Sequence, residues 1–183
     1  MQLRALFLDR DGVINQNHGY VCEQANFDFI DGIFDLALYA HKQNYKLFVI
    51  TNQAGIGRGY YSEDKFHKLT QWMCEQFVAA GSPISKVYFS PYHPTAGVGM
   101  YLKDDYSRKP HPGMILQAQQ DFDIDLSASV LIGDQATDIQ AGVAAGVGTN
   151  LLFSQVKPMQ LNGIKYALIK HLSEAIPYLQ QNF

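Results

Sequence analysis

Four clusters of polar residues in this chain have the composition needed to bind a phosphoryl group. Asp9 and Asp11 stand two positions apart, and the carboxylates of Asp9 and Asp134 are hard oxygen ligands that suit Mg²⁺. Without a cation, carboxylates brought close together repel one another, and some take up protons. The other clusters supply a hydroxyl and an amide, two basic side chains and two further acids: Thr51 and Asn52, Arg108 and Lys109, Asp134 and Asp138. A cation, short donors and positive charge together can hold a phosphoryl group.

The spacing of apolar residues predicts the elements that must position these clusters. Short apolar runs alternate with longer amphipathic stretches, which is typical of an α/β protein with a mostly parallel sheet. The predicted strands are residues 3–8, 46–50, 86–89, 129–132 and 149–153. The predicted helices cover about residues 31–40, 62–77, 112–122, 138–145 and 164–180. A glycine-rich loop at 55–59 and a long loop at 90–110 lie between these elements.

Three of the clusters directly follow predicted strands. Asp9 and Asp11 follow the first strand, Thr51 follows the second, and Asp134 follows the fourth. Ligands of open α/β sheets bind beyond the carboxyl ends of the strands, at a point where the strand order reverses. These side chains are therefore expected to meet in one crevice, although they are far apart in the sequence.

Each cluster also has a simpler interpretation. An aspartate after a strand is commonly a turn residue. Thr51 and Asn52 could cap a helix, and Arg108 and Lys109 could be a solvated pair in a loop. All four clusters lie at predicted strand ends or in the long loop, in a compatible order. This joint placement favours a common site over four unrelated local roles.

The composition is that of an ordinary globular protein. Its 183 residues, 47% hydrophobic and 17% charged, suit one domain over residues 1–183. The formal net charge of -3 argues against a broad nucleic-acid-binding surface. No apolar run is long enough to span a bilayer, and the first residues lack the apolar segment of a signal peptide. We therefore expect a cytoplasmic monomer that binds neither nucleic acid nor membrane, with Cys22 and Cys74 as free thiols.

The four clusters, taken in order, resemble the four motifs of the haloacid dehalogenase (HAD) superfamily of phosphatases. The segments that carry this resemblance are Leu6–Val13, Thr51–Gln53, Arg108–Pro110 and Gly133–Asp138. Longer segments resemble the heptose bisphosphate phosphatases, which are related to the histidinol-phosphate phosphatases; these are Asp9–Asn15, His18–Val21, Thr51–Ile56, Arg58–Gly59 and Arg108–Met114. The resemblance covers residues 5–153. It implies a Rossmann-like, doubly wound sheet with helices on both faces. A separate cap domain is not expected, because no large insertion separates the motifs.

The resemblance implies a Mg²⁺-dependent phosphatase that works through an aspartyl-phosphate. Asp9 would attack the phosphorus. Asp11 would protonate the leaving sugar oxygen and then deprotonate the hydrolytic water. Asp9, Asp134 and the backbone carbonyl of Asp11 would hold Mg²⁺. Thr51 and Lys109 would stabilise the transferring phosphoryl group.

The remaining positions carried over by the resemblance bind a small sugar phosphate or support the site. Asp138 would orient Lys109 or support the metal shell. The substrate-binding positions are Arg10, Asn17, His18, Gly19, Tyr20, Asn52, Gln53, Ala54 and Arg108. His18 could equally be an exposed loop histidine, and for Arg58 a surface position is favoured over a phosphate contact.

The sequence departs from the family pattern in two places. Many members hold a structural zinc in the long loop, but the corresponding positions here are Ser90, Tyr92, Asp105 and Ser107, which cannot form a closed nitrogen and sulfur site. We therefore predict no zinc, and expect the loop to be held by packing of Tyr92, Met100, Tyr101 and Tyr106. Gln135 stands where the family commonly has lysine, so one positive charge near the substrate is lost.

Two other functions remain open at this point. A histidinol-phosphate phosphatase, or another small phosphomonoester phosphatase, would use the same residues. A non-catalytic phospho-acceptor such as a receiver domain also combines carboxylates, Mg²⁺, a hydroxyl and a lysine. Receivers, however, place their acceptor after an earlier acidic pair, whereas here the Asp9 and Asp11 pair comes first. Asp11 also supplies an acid and base that a long-lived phospho-switch would not need. Nucleic-acid binding has only scattered aromatic residues in its favour, and the net charge opposes it.

Overall fold

The computed structural model describes residues 2–180, which contain a six-stranded parallel sheet. The strands are β1 (Arg4–Leu8), β2 (Tyr45–Asn52), β3 (Ile84–Ser90), β4 (Val130–Gly133), β5 (Thr149–Phe153) and β6 (Ala167–Ile169). They are ordered β3-β2-β1-β4-β5-β6 across the sheet, and every neighbouring pair is parallel. The order reverses at β1, which is the switch point of a doubly wound sheet. Of the single domain predicted over residues 1–183, Met1 and residues 181–183 lie outside the described part.

Helices cover both faces of this sheet, as predicted. They are α1 (Ile33–Lys42), α2 (Ala54–Gly57), α3 (Glu63–Ala79), α4 (Gly113–Phe122), α5 (Ala136–Ala145) and α6 (Ile176–Leu179). Short 3-10 segments lie at Gln24–Asn26, Gly99–Tyr101, Met159–Leu161 and Leu172–Ala175. None of the helices in residues 2–180 has the length and apolar character to cross a membrane.

The side chains of β1 alternate between two hydrophobic cores, because successive residues of a strand point to opposite faces. Leu6 and Leu8 pack in one core with Ile33 of α1. Phe7 packs in the other core with Ile115 of α4. A strand buried on both faces is typical of a parallel sheet with helices on each side. β1 therefore holds its C-terminal end, and the aspartates that follow it, rigidly at the centre of the fold.

The C-terminal segment differs from the prediction of a helix over residues 164–180. Residues Ala167–Ile169 form β6, which extends the sheet by pairing with β5. A 3-10 segment and the short helix α6 follow, and Pro177 lies in the first turn of α6, where a missing N–H is tolerated. A strand of three residues is too short to show an alternating pattern, so pairing with β5 decides its conformation.

The remaining differences are small and have local causes. The loop predicted at 55–59 includes the one-turn helix α2. Helix α5 begins at Ala136, two residues earlier than predicted, because Gln135 and Asp138 form a capping box at its N-terminus. Helix α3 begins after Ser62, whose hydroxyl accepts a hydrogen bond from the backbone N–H of Lys65, as expected for a helix cap.

The segments that follow β1 and β2 do not cover the C-terminal ends of the strands with a further domain. Between β1 and β2, the chain forms a 3-10 turn and α1, and between β2 and β3 it forms α2 and α3. No inserted domain is present in residues 2–180. The crevice beyond the strands is therefore walled by loops.

Candidate active site

The C-terminal ends of β1, β2 and β4 open into one cavity of about 280 Å³. The cavity brings together most of the residues predicted for the site. Those that line it are Asp9, Asp11, Asn17, Gly19, Tyr20, Thr51, Asn52, Gln53, Ala54, Arg108, Lys109, Asp134 and Asp138. Tyr61, Gln135 and Thr137 also line it. Arg10 and His18 are the predicted residues that lie outside this lining.

Lys109 lies between two buried acids at the base of the cavity. Its ammonium is 2.8 Å from Oδ1 of Asp9 and 2.6 Å from Oδ1 of Asp138, and it also donates to the carbonyl oxygen of Ile50 at 2.8 Å. Burial by itself would lower the pKa of Lys109, but the charges of Asp138 and Asp9 outweigh it, so the pKa lies above its ordinary value. Lys109 is therefore a permanent cation beside Asp9.

Asp9 has an environment that disfavours its charged form unless a cation is near. Burial raises the pKa of Asp9 well above its ordinary value, and the charges of Asp138 and Asp134 raise it further against the opposing effect of Lys109. For Asp134, burial and then the charge of Asp138 raise the pKa to about 6. These carboxylates are thus poised to gain stabilisation from additional positive charge.

Gly12 allows Asp134 to sit directly beside the turn after β1. Its φ is +100°, a left-handed conformation that side chains disfavour, and a Cβ at this position would collide with the carboxylate of Asp134. Oδ2 of Asp134 accepts a hydrogen bond from Nε2 of Gln135 at 2.8 Å. Oδ1 is buried and has no hydrogen-bond partner in the described structure. A buried carboxylate oxygen without a partner is a position where a cation fits.

Three acidic side chains lie close enough together to hold a cation. Ligand atoms of Asp9, Asp134 and Asp138 lie within 4.8 Å of one another. Both oxygens of Asp138 already have partners, since Oδ1 meets Lys109 and Oδ2 accepts from the backbone N–H of Gln135 at 2.9 Å. Asp9 and Asp134 are therefore the carboxylates left for the cation, and hard oxygen ligands of this kind fit Mg²⁺.

Asp11 is held by donors on three sides. Nη2 of Arg10 lies 2.8 Å from Oδ1 and 2.7 Å from Oδ2. Asn15 donates to Oδ1 at 3.0 Å and Gln53 donates to Oδ2 at 2.9 Å. Arg10 is only 1% exposed and also donates to the carbonyl oxygen of Val21 at 2.7 Å. Arg10 thus lies behind Asp11 and contacts it, while Asp11 faces the cavity.

Asn52 connects β2 to the loop that carries Lys109. Its Nδ2 donates to the backbone carbonyl of Lys109 and its Oδ1 accepts from the backbone N–H of Lys109, both at 3.0 Å. This reciprocal pair explains how residues distant in sequence place Lys109 beneath the cavity. Asn52 was predicted from the family pattern as a substrate-binding residue, and its side chain in the structure holds Lys109.

Arg108 lines the cavity, and Arg58 lies outside the lining beside Tyr20. Nη1 of Arg108 donates to the carbonyl oxygen of Tyr92 at 2.9 Å, and Nη2 of Arg58 lies 3.0 Å from Nε2 of His93. Burial and then the charge of Arg58 lower the pKa of Arg108. The Arg58 guanidinium also lies 5.7 Å from the ring centre of Tyr20. In contrast, Nε2 of His18 lies 2.8 Å from Asp28 at the exposed surface.

Hydrogen bonds connect the positions in the long loop where many family members hold zinc. Oγ of Ser107 lies 3.0 Å from Oγ of Ser90 and donates to Oδ1 of Asp105 at 2.7 Å. Asp105 also pairs with Lys103 at 2.6 Å, and the Lys103 ammonium lies 5.1 Å from the ring centre of Tyr92. Hydrogen bonds therefore join Ser90, Ser107 and Asp105, and Lys103 connects Asp105 to the ring of Tyr92.

The expected aromatic packing of this loop is present only in part. The rings of Tyr92 and Tyr101 have centroids 6.1 Å apart, and the ring of Tyr106 lies 5.9 Å from that of His111. Met100 is 77% exposed, so the expectation that it helps to hold the loop is wrong. Met100 lies in the 3-10 segment Gly99–Tyr101, in which no residue is buried.

Tyr61 is a cavity residue that the sequence analysis missed. Its hydroxyl donates to Oε1 of Gln53 at 2.6 Å, and Gln53 in turn contacts Asp11 and Thr51. Tyr61 belongs to none of the motifs and lies just before the cap of α3. A turn after α2 brings it back to the cavity, and no pattern in the local sequence indicates this contact.

The sheet order, the acids after β1 and β4, and the lysine from the long loop define a phosphatase of the HAD-like class. A family model described as HAD-hydrolase-like matches residues 106–167. Phosphatases of this class generally use Mg²⁺, and the acidic cluster fits that cation.

Two full-length relatives identify the family within this class. It is 53% identical to the D-glycero-α-D-manno-heptose-1,7-bisphosphate 7-phosphatase of Burkholderia mallei, over 98% of this chain and 95% of that protein. It is 44% identical to the D-glycero-β-D-manno-heptose-1,7-bisphosphate 7-phosphatase of Vibrio cholerae, over 90% of this chain and 89% of that protein. The chain belongs to the family of D-glycero-D-manno-heptose-1,7-bisphosphate 7-phosphatases.

A solved structure supports the fold. The D,D-heptose 1,7-bisphosphate phosphatase of B. bronchiseptica, complexed with magnesium and phosphate, superimposes with a TM-score of 0.83. The match covers 97% of this chain and 98% of that one, at 23% identity. The architecture predicted from the sequence, a Rossmann-like α/β fold of the HAD class, is confirmed.

Proposed function

We propose that this chain removes the 7-phosphate of D-glycero-D-manno-heptose 1,7-bisphosphate through an aspartyl-phosphate intermediate. The observation that carries the proposal is the position of Asp9, which faces the cavity beside Lys109 and Asp134. A carboxylate in this setting can act as a nucleophile, because neighbouring positive charge reduces its repulsion by an anionic phosphate. Family members with the same substrate in their names support the choice of sugar.

The proposed reaction has two displacements at phosphorus. Asp9 attacks the 7-phosphate, the bond from phosphorus to the sugar oxygen breaks, and Asp11 gives that oxygen a proton. Water then attacks the phosphorus of the aspartyl-phosphate while Asp11 takes a proton from it, which releases phosphate and restores Asp9. Asp11 lines the same cavity as Asp9, as both roles require.

Thr51 and Lys109 are proposed to stabilise the phosphoryl group during both displacements. Thr51 lines the cavity at the end of β2 and is 1% exposed. Lys109 keeps its charge, and Asp138 orients it at 2.6 Å. Positive charge and a donor fixed before the reaction stabilise a transition state without the cost of reorganisation.

Mg²⁺ is the proposed cofactor. Asp9, Asp134 and the backbone carbonyl of Asp11 would hold it, and the unpartnered Oδ1 of Asp134 supports this assignment. When bound, the ion supplies charge that lets an anionic nucleophile approach a phosphate. No zinc is needed in this proposal, because the loop positions at Ser90 and Ser107 are connected by hydrogen bonds.

The proposal extends to the second phosphate of the sugar. Arg108 lines the cavity, and the guanidinium of Arg58 lies 5.7 Å from the ring centre of Tyr20, another lining residue. Guanidinium groups bind phosphate by paired hydrogen bonds. We propose that Arg58 and Arg108 bind the 1-phosphate, which compensates for Gln135 at the position where the family commonly has lysine. The loop formed by Asn17, Gly19 and Tyr20 would contact the sugar between the two phosphates.

The decisive experiment is phosphate release by the purified protein with Mg²⁺, using both anomers of the heptose bisphosphate, histidinol phosphate and simple sugar monophosphates. We expect kcat/KM for one heptose bisphosphate to exceed that for histidinol phosphate by at least about 100-fold, because a site built to bind a second phosphate loses those contacts with a monophosphate. Equal or higher kcat/KM with histidinol phosphate would refute the assigned substrate.

Two variants test the assigned residues in the same assay. Asp9→Asn should lower phosphate release by at least about 10³-fold while circular dichroism shows a native fold. Arg58→Gln should lower kcat/KM for the bisphosphate more than for a monophosphate. A stable phosphoprotein that forms without turnover would instead favour a phospho-acceptor.

A further inference from the structure

We propose that the hydroxyl of Tyr61 positions the side chain of Gln53, and through it aligns both Asp11 and Thr51 for the reaction. This inference rests on the proposed phosphatase function, in which Asp11 is the acid and base and Thr51 contacts the phosphoryl group. Tyr61 is a positioning residue in this scheme, since it reaches the reacting groups only through Gln53.

The amide of Gln53 is fixed by three hydrogen bonds. Its Nε2 donates to Oδ2 of Asp11 at 2.9 Å and to Oγ1 of Thr51 at 2.8 Å. Its Oε1 accepts from the hydroxyl of Tyr61 at 2.6 Å. Gln53 is 2% exposed, so its amide has little contact with solvent that could replace a lost partner. Both hydrogens of the amide and its oxygen are thus engaged in hydrogen bonds.

The orientation of this amide matters for both partners. As it stands, Thr51 accepts a hydrogen bond from Gln53, so the Thr51 hydroxyl proton is left to be donated to a phosphoryl oxygen. With the amide reversed, the oxygen of Gln53 would face the carboxylate of Asp11 and would accept the proton of Thr51. The carboxylate of Asp11 can only accept, so it requires the amide nitrogen on its side. The hydroxyl of Tyr61 then donates to the amide oxygen on the other side and fixes the amide in this orientation.

The surroundings of Tyr61 keep its hydroxyl in place as a donor. Gly55 brings the backbone of α2 against the ring, where a Cβ would collide with it. The ring also packs with Ile56 and Phe66 in a small hydrophobic cluster. Burial raises the pKa of Tyr61 above its ordinary value, and among the nearby charges Arg10 opposes and Asp11 supports this shift. The hydroxyl therefore stays protonated.

The test is the substitution Tyr61→Phe, which removes the hydroxyl and keeps the ring. We expect kcat to fall about tenfold, the effect of losing one hydrogen bond that aligns Gln53, while KM changes by less than about twofold. Tyr88→Phe is the matched control, because Tyr88 is another buried tyrosine whose hydroxyl donates a hydrogen bond, to Asp121 at 2.8 Å, far from the cavity. It should leave kcat unchanged.

A double-mutant cycle shows whether Tyr61 acts through Gln53. In a Gln53→Ala background, Tyr61→Phe should cause no further loss of kcat, because the group that it positions is absent. Independent, multiplicative losses would overturn the proposal. Unchanged kcat in the single Tyr61→Phe variant would also overturn it.

A second readout does not depend on turnover. The side-chain amide signals of Gln53 in a proton–nitrogen NMR spectrum should shift in Tyr61→Phe and stay in place in Tyr88→Phe. Unchanged Gln53 signals in Tyr61→Phe would refute the positioning role. A wild-type protein that releases no phosphate would refute the proposed function instead, so the two failures are distinguishable.

Discussion

The ammonium of Lys109 lies 2.6 Å from the carboxylate of Asp138, and the two side chains are only 3% and 2% exposed. The same ammonium also meets Asp9 at 2.8 Å. One lysine from the long loop thus balances two acids that follow different strands. Charges buried in this way stabilise a fold only while every partner is present, since each lone charge carries a large desolvation cost.

We predict that Lys109→Met destabilises the protein, because it leaves Asp9 and Asp138 buried without their cation. The free energy of unfolding at neutral pH should fall by about 3–5 kcal/mol. Urea denaturation of the metal-free protein measures this change. Lys103→Met is the control: Lys103 pairs with Asp105 but is 58% exposed, and its loss should cost less than about 1 kcal/mol. Similar losses in the two variants would contradict a buried ion pair at Lys109.

The close approach of Gly12 to Asp134 gives a second prediction. Gly12→Ala should displace the Asp134 carboxylate and lower kcat/KM by about 100-fold, the effect of a misplacement of about 1 Å in a catalytic site. Steady-state kinetics at several Mg²⁺ concentrations should also show a weaker apparent affinity for the ion. Gly146→Ala is the control, because Gly146 has a φ of +86° but no atom near its missing Cβ. It should cost about 1–2 kcal/mol of stability and leave the kinetics unchanged.

Removal of the metal should abolish activity and lower stability. We expect EDTA to stop phosphate release, and Mg²⁺ at 100 times its dissociation constant to add about 2.7 kcal/mol to the free energy of unfolding. Asp134→Asn should remove most of this gain, because it loses a charged ligand oxygen. Thermal unfolding with and without Mg²⁺ provides the measurement. Asp121→Asn, a carboxylate next to Lys86 and away from the cavity, should keep the full gain. An equal gain in Asp134→Asn would rule out this ligand.

The acid stability of the long loop gives a prediction for Asp105. Burial works to raise the pKa of Asp105, but hydrogen bonds from Lys103 and Ser107 lower it from 3.8 to about 2. The folded state therefore favours the ionised form. Its stabilisation is complete above the unfolded pKa and is lost as the pH falls through the folded value.

Asp105→Asn should accordingly be less stable than the wild type by about 1–2 kcal/mol above about pH 5, after allowance for partial solvent screening. The difference should shrink as the pH falls from about 4 towards about 2. Urea denaturation across this range checks both parts. Asp64→Asn, which breaks an exposed pair with Lys68, should show a difference below about 0.5 kcal/mol. A constant difference at every pH would show that Asp105 is not stabilised by its charge.

Much of the fold was predictable from the sequence because its signals are local. The run Ala5–Leu8 is apolar and ends abruptly at Asp9, which marks a buried strand and its carboxyl end in one stretch. The same reasoning identified β2, β3, β4 and β5. β6 was missed because three residues are too few to show the alternation of apolar and polar residues that indicates a strand. Its conformation depends on pairing with β5, which precedes it by more than ten residues.

The sequence by itself determined which side chains meet beyond the sheet. Polar residues at the C-terminal ends of parallel strands lie at the carboxyl edge of the sheet. Asp9, Thr51 and Asp134 therefore converge, because β2 and β4 are the two neighbours of β1. The order of these motifs also sufficed to recognise the superfamily.

The tertiary structure alone decided which partners each of those side chains contacts. It places Asp138 against Lys109 and the N-terminus of α5, holds Lys109 through the amide of Asn52, and connects Tyr61 to Gln53. Each of these contacts depends on the rotamer of a side chain and on the path of a loop. Such features arise from packing between distant segments, and the local pattern of residues does not encode them.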